Sequence, residues 1–187
     1  MSENVYVKGV RILSPIEYDV FVSNIDKPYH RTQFDINFWS GMRYVEFQRF
    51  YEHPEWHMKE KRAIHLPEEA VHKAKRKILE RYIYPIPPQI ESILPYFHDN
   101  PQPPVNKVCN ENYKRWAIKS GFDPKGFTTK MTRKTIESWM VAAKIPLNVV
   151  CLRQGHDMIT SMNHYQGLPF SDSEKADINK RLAGWIL

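Results

Sequence analysis

The chain has 187 residues, 42% of them apolar, and a net charge of +6. That length fits one ordinary domain, and the apolar share excludes a globally disordered chain. No apolar run reaches the ~18 residues of a membrane span, the first residues lack a secretory pattern, and two distant cysteines, Cys109 and Cys151, make no disulfide framework, so a cytoplasmic setting is expected.

Residues 1–32 are mixed, with strand-like pieces at 5–7 and 19–22, and are expected to form an N-terminal arm or linker remnant. From Asp35 to Phe50 the apolar residues Phe38, Met42, Val45, Phe47 and Phe50 predict one helix. Residues 55–66 predict a hairpin, with Trp56 and Met58 on its first arm and Ala63-Ile64-His65-Leu66 on its second. Pro67 followed by Glu68 and Glu69 predicts a helix over 68–83, because proline and acids favour a helix start. Residues 84–106 hold seven of the chain's 14 prolines and predict a loop with one short helix near 88–97. Further helices are predicted over 106–120, 130–143, 147–153 and 158–165, with a turn at 144–146. The tail over 173–187 carries Ile178, Leu182, Trp185 and Ile186 as an apolar stripe. The whole is expected to be a single domain over 1–187, mostly α with a small antiparallel β-hairpin or sheet. Trp56, Trp116, Trp139 and Trp185 are expected in its core.

The charge is unevenly placed. Residues 107–134 hold eight basic residues, among them Lys130, Arg133 and Lys134, against only Glu111 and Asp123, an excess equal to the +6 of the whole chain. Such a face suits a nucleic acid, although a solvated basic surface would read the same way.

Three local patterns carry more. The first is Ser40-Gly41-Met42-Arg43-Tyr44-Val45-Glu46-Phe47. The second is Thr129-Lys130-Met131-Thr132-Arg133-Lys134-Thr135 at a helix start. The third is Leu152-Arg153-Gln154-Gly155-His156, followed by Ile159, Thr160, Ser161 and Tyr165. Arg133 and His156 are 23 residues apart, and His156 and Tyr165 nine. Together they resemble the first arginine box, the His-x-x-Arg box, and the Gly-His and nucleophile boxes of the tyrosine recombinase (phage integrase) family, over roughly residues 35–187. The first box alone is weak; the block from 128 to 165 is specific. Lys130 stands where histidine is usual, a feature that also brings archaeal SSV-type integrases to mind. The helical DNA-clamping domain that usually precedes the catalytic domain is not found, which fits either a truncation or a minimal form.

The resemblance implies site-specific cleavage and religation of double-stranded DNA through a 3′-phosphotyrosyl intermediate, with no cofactor and no metal. Cutting a phosphodiester this way needs a nucleophile, charge on the phosphate and an acid for the leaving oxygen. By the resemblance Tyr165 attacks, Arg43 and Arg133 grip the phosphate with planar forks, and His156 donates to it. Lys130 acts beside them as donor or base. That last role is in doubt, since a lysine ammonium stays charged near neutral pH where histidine can shuttle protons. A hairpin lysine, Lys61 or Lys59, protonates the departing 5′-oxygen; Lys61 is favoured as closer to the strand. The resemblance also implies self-association on DNA as a tetrameric synapse, with the tail docking on a neighbouring protomer, against the rival of docking on the protein's own core, and no membrane partner. His53, His57 and His65 lack a convincing further metal ligand. Two rivals remain: a helix-turn-helix module over 131–153 that never cuts, and a type IB topoisomerase, which shares the fold and chemistry.

Overall fold

The computed structural model describes residues 3–71, 80–165 and 167–186. It is mostly α with two small antiparallel sheets, as the sequence predicts. Strands β1 (Val5–Val7) and β2 (Val10–Ile12) form a hairpin whose two-residue turn, Lys8 and Gly9, has positive φ at both positions. That geometry suits the twist of a tight hairpin. Helix α1 (Pro15–Ser23) follows, opened by a capping box between Ser14 and Glu17. It takes in residues 19–22, read from sequence as strand-like: the branched Val20 and Val22 are overridden by the proline and cap at the helix start.

Residues 3–32 are therefore no detached arm. Ile12, Leu13 and Phe21 are fully buried. The segment is tied to a later helix, α7 (Lys130–Ala142), where Thr135 Oγ1 accepts from the Leu13 amide at 3.2 Å and the Trp139 indole donates to the Leu13 carbonyl at 2.9 Å. Helix α2 (Pro28–Ser40) packs on α7 across an aromatic cluster of Tyr18, Phe34, Phe38, Trp39 and Trp139.

The single helix expected from Asp35 to Phe50 is broken. It ends at Ser40 with Gly41 left-handed at φ 67°, and α3 (Tyr44–Glu52) begins after Arg43, which is extended. Apolar periodicity runs through the break, so the pattern does not reveal it. Gly41 suits the break: its left-handed backbone is one that other residues rarely adopt, and a Cβ there would lie 2.6 Å from Gln154 Oε1, which would have to shift.

The predicted hairpin is present. Strand β3 (His57–Met58) pairs with β4 (Ala63–Leu66), joined by a 3-10 turn at Lys59–Lys61 that closes on a left-handed Arg62. The helix predicted over 68–83 is not what the described residues form. Glu68–Ala70 is one 3-10 turn and residues 72–79 lie outside the described residues. Arg81–Ile83 is strand β5, pairing with β4. Three residues are too few for a period to show.

The proline-rich stretch holds two short helices, α4 (Pro88–Glu91) and α5 (Leu94–Phe97), where one was expected. Helix α6 (Asn106–Lys119), α7, α8 (Leu147–Gln154) and α9 (Met158–Tyr165) follow close to the predicted bounds. The four tryptophans named above are buried.

The tail forms α10 (Asp172–Leu182), and its stripe is covered by its own chain. Ile178 and Leu182 are fully buried against α7 and α1, Trp185 lies under the Arg153 guanidinium at 4.7 Å, and Arg181 clamps Asp19 at 2.9 and 2.7 Å. The expected docking on a neighbour is corrected accordingly: the apolar side chains that motivated it already have a partner in the same chain. Among the described residues no helix is long and apolar enough to cross a membrane.

Candidate active site

Four of the residues singled out from sequence line one cavity of about 520 Å³: Arg43, Lys130, Arg133 and Tyr165. They come from three places in the chain, and each is placed by an identifiable local device. Arg43 sits at the N-terminus of α3, where its amide donates to Glu46 Oε2 at 2.7 Å. Its guanidinium donates to Glu46 Oε1 at 2.7 Å and to the Gly155 carbonyl at 2.9 Å. Arg133, one turn into α7, donates to the Gly41 carbonyl at 2.9 Å and to the Gln154 carbonyl. The two arginines are thus crossed over the two glycine boxes: each is held by a main-chain carbonyl at or beside the glycine of a distant motif. Burial, then the charges of Arg43 and Arg81, push the Arg133 guanidinium below its ordinary range, with Glu46 and Glu137 opposing.

Gly155 closes α8 in the left-handed conformation at φ 65°. A Cβ there would come within 2.7 Å of the Arg81 side chain. Arg81 belongs to the site's foundation, and sequence reading missed it. It makes a two-pronged pair with Glu46 at 2.6 and 2.8 Å and donates from Nε to the Arg153 carbonyl at 2.9 Å. Glu46 is wholly buried, and Arg81 and Arg43 hold its carboxyl far below the usual carboxylate range despite burial. One carboxylate therefore anchors two guanidiniums. Glu46 is legible in the first box, but nothing local marks Arg81, 35 residues further on.

Lys130 opens α7 and is exposed at the cavity edge. Tyr165 ends α9 and is buried. Burial first, then the negative charge of Glu137, pushes its phenol well above the ordinary value, with Arg133 opposing.

His156 is beside the site but not a lining residue of the cavity. Its Nε2 lies 2.6 Å from Glu137 Oε1 and its Nδ1 lies 3.0 Å from the Asp157 carbonyl. Both nitrogens face acceptors, so a bond to a phosphate requires one of these to be exchanged. Glu137 is a second residue sequence reading missed. It lies on α7 between Ile136 and Trp139, fully buried in a run that reads as core.

Lys59 and Lys61 are not brought to the cavity. Both are exposed on the 3-10 turn rather than on a strand. Residues two apart there lie on different sides, since the turn has ~3 residues per revolution. Lys59 and Lys61 therefore do not share a face, as two residues that far apart on a strand would. Among the histidines considered for metal, His53 stacks on Trp56 and binds Glu55, while His65 stacks on Tyr82 and binds Glu80. Among the described residues, no three His, Cys, Asp or Glu are grouped to hold an ion.

The family model for the phage integrase family matches residues 26–171. No curated protein and no solved structure matches the chain.

Proposed function

Because the chain belongs to the phage integrase family, we propose that it is a tyrosine-type DNA strand transferase that cuts and rejoins double-stranded DNA at specific sites through a 3′-phosphotyrosyl intermediate. The observation that carries the reading is the shared cavity of Arg43, Lys130, Arg133 and Tyr165. A guanidinium presents five N–H donors in a planar fork that matches the non-bridging oxygens of a phosphate. For Arg43 and Arg133 the cost of orientation is met in folding rather than at the moment of reaction, which is what makes such charge catalytically effective. Lys130 adds a point charge at the cavity edge.

In the reaction so read, the Tyr165 oxygen bonds to phosphorus and the bond to the 5′-oxygen breaks. The leaving oxygen takes a proton, from Lys61 or Lys59, as DNA draws the hairpin toward the cavity. His156 assists from behind, through the phosphate or through Glu137. Rejoining runs the same steps backwards with a new 5′-hydroxyl. Several copies acting on paired sites would make this recombination, and the mobile-element setting follows from that chemistry.

The test is a nicked suicide substrate whose cut fragment diffuses away. The expected outcome is a protein–DNA band that survives a denaturing gel. A complex that is only reversible and salt-sensitive would favour the helix-turn-helix binder instead.

A further inference from the structure

A tyrosine that attacks phosphorus must lose its proton, and the histidine that would take it in this family is Lys130 here. Lysine near neutral pH brings a proton rather than accepting one. The acceptor has to be sought elsewhere among groups that reach Tyr165.

Glu137 is such a group. It is fully buried on α7, one turn beyond Arg133. Its Oε1 is taken by His156 Nε2 at 2.6 Å and by the Ser161 hydroxyl at 3.3 Å. Its Oε2 is buried and accepts no hydrogen bond among the described residues. A buried carboxylate oxygen without a donor is costly and calls for an explanation. Ser161 and Tyr165 are four apart on α9, which puts them on one face of that helix. The helix face that delivers the Ser161 hydroxyl to Oε1 therefore carries the tyrosine toward the same carboxylate. Among charged groups, Glu137 acts most strongly on the Tyr165 hydroxyl.

We propose that Glu137 is the general base of the cleavage step, taking the Tyr165 hydroxyl proton on Oε2 as the tyrosine oxygen bonds to phosphorus. This rests on the reading above. The proton moves from Tyr165 to Glu137, the phosphorus–5′-oxygen bond breaks, and the leaving oxygen is protonated by the hairpin acid. In the reverse step Glu137 returns the proton to Tyr165. His156 and Ser161 hold Oε1, so the carboxylate keeps its orientation throughout. Burial, then the charge of Glu137, keeps the phenol protonated before DNA arrives, which guards the nucleophile. Other titratable or charged groups facing Glu137 are Arg133 and Lys134 on its own helix, Cys151 on α8, and His164 on α9.

The experiment measures single-turnover adduct formation on the suicide substrate against pH. The unaltered chain comes first; no adduct from it overturns the parent reading and this proposal together. Given an adduct, Glu137→Gln is expected to form it at least ~10²-fold more slowly at neutral pH, as loss of a general base does, with DNA affinity unchanged and the deficit narrowing as pH rises. Placing a difluorinated tyrosine at position 165, whose phenol ionises more readily, is expected to restore most of the lost rate. A glutamine variant within about threefold of the unaltered chain would remove Glu137 from proton transfer. A deficit that is flat in pH and not rescued by fluorination would leave only packing and overturn the proposal. Should Glu137→Gln fail to fold, the unaltered chain decides. A solvent deuterium effect on adduct formation that shrinks with the fluorinated tyrosine supports the base, and one that does not shrink rejects it.

Discussion

The cavity and the hairpin are built to different standards. Around the cavity, Arg43 and Arg81 share the Glu46 carboxylate, Arg43 and Arg133 are held by the Gly155 and Gly41 carbonyls, and Glu137 holds His156. The hairpin, which does not line the cavity, presents Lys59 and Lys61 on an exposed turn, where neither ammonium makes a hydrogen bond or ion pair among the described residues. The contrast follows the chemistry. Charge that must meet a phosphate is effective when fixed in advance. An acid that serves a leaving oxygen needs to be in place only once DNA is bound, so its order can come from the substrate.

The comparison breaks most completely if the cavity residues do not act. Tyr165→Phe keeps the ring that packs in the fold and removes only the attacking oxygen. It is expected to abolish the denaturation-resistant adduct while leaving DNA affinity, read by gel shift, nearly intact. An adduct at the unaltered level would move the nucleophile elsewhere.

The next effect is on the foundation. Glu46→Ala leaves Arg81, whose side chain is 5% exposed, as an uncompensated buried charge and removes the carboxylate from the Arg43 guanidinium. Breaking one partner of a buried pair costs about 3–5 kcal/mol. Denaturant unfolding is expected to show that loss, and adduct formation is expected to fall with it even where the variant is still folded. A variant with unchanged stability and rate would mean that the carboxylate is not what holds the arginines.

How much of this was legible in sequence divides along the same line. Helices α6 to α9 are bounded by residues whose effect is local, such as Pro146 before α8 and Gly155 after it, so pattern reading found them. Arg43, Lys130, Arg133 and Tyr165 were found through their boxes. The partners that hold them were not. Arg81 meets Glu46 across 35 residues of chain, and Glu137 lies in the apolar run of α7, so neither leaves a local mark. The break at Gly41 is hidden for a similar reason: the glycine lies against Gln154, on another helix. His156 shows a further limit. The spacing singles it out, but the engagement of both its nitrogens depends on neighbours that the spacing does not reveal.

A smaller effect tests whether fixed geometry, rather than charge alone, matters in the cavity. Arg43→Lys and Arg133→Lys both keep a positive charge and lose the fork. A lysine in place of Arg133 cannot reach the Gly41 and Gln154 carbonyls together as the guanidinium does. Each variant is expected to slow cleavage by about 10²–10³, the effect of removing one preorganised donor. Cleavage within about threefold of the unaltered chain would withdraw that residue from the site.

The smallest expected effect is on the hairpin, and it sharpens the comparison most. Lys59 and Lys61 lie on different sides of the 3-10 turn, so one orientation of the hairpin can aim only one of them at the cavity. Lys61 immediately precedes Arg62, which is locked left-handed and clamped to Glu91 at 2.8 and 2.9 Å. That fixed point leaves Lys61 with less main-chain freedom than Lys59, so less order has to be supplied by DNA to position it. A general acid matters only where the leaving group is poor, and a 5′-bridging sulfur leaves well without a proton. Lys61→Ala is therefore expected to slow cleavage of ordinary DNA by about 10², the lower end of what a general acid contributes, and to recover most of that rate on the sulfur-substituted strand. Lys59→Ala is expected to lose much less on either substrate. Rescue of Lys59→Ala instead would exchange the two. Absence of rescue in both would remove the hairpin from acid catalysis and leave the cavity residues to act on both oxygens, which would end the division of labour drawn between cavity and hairpin.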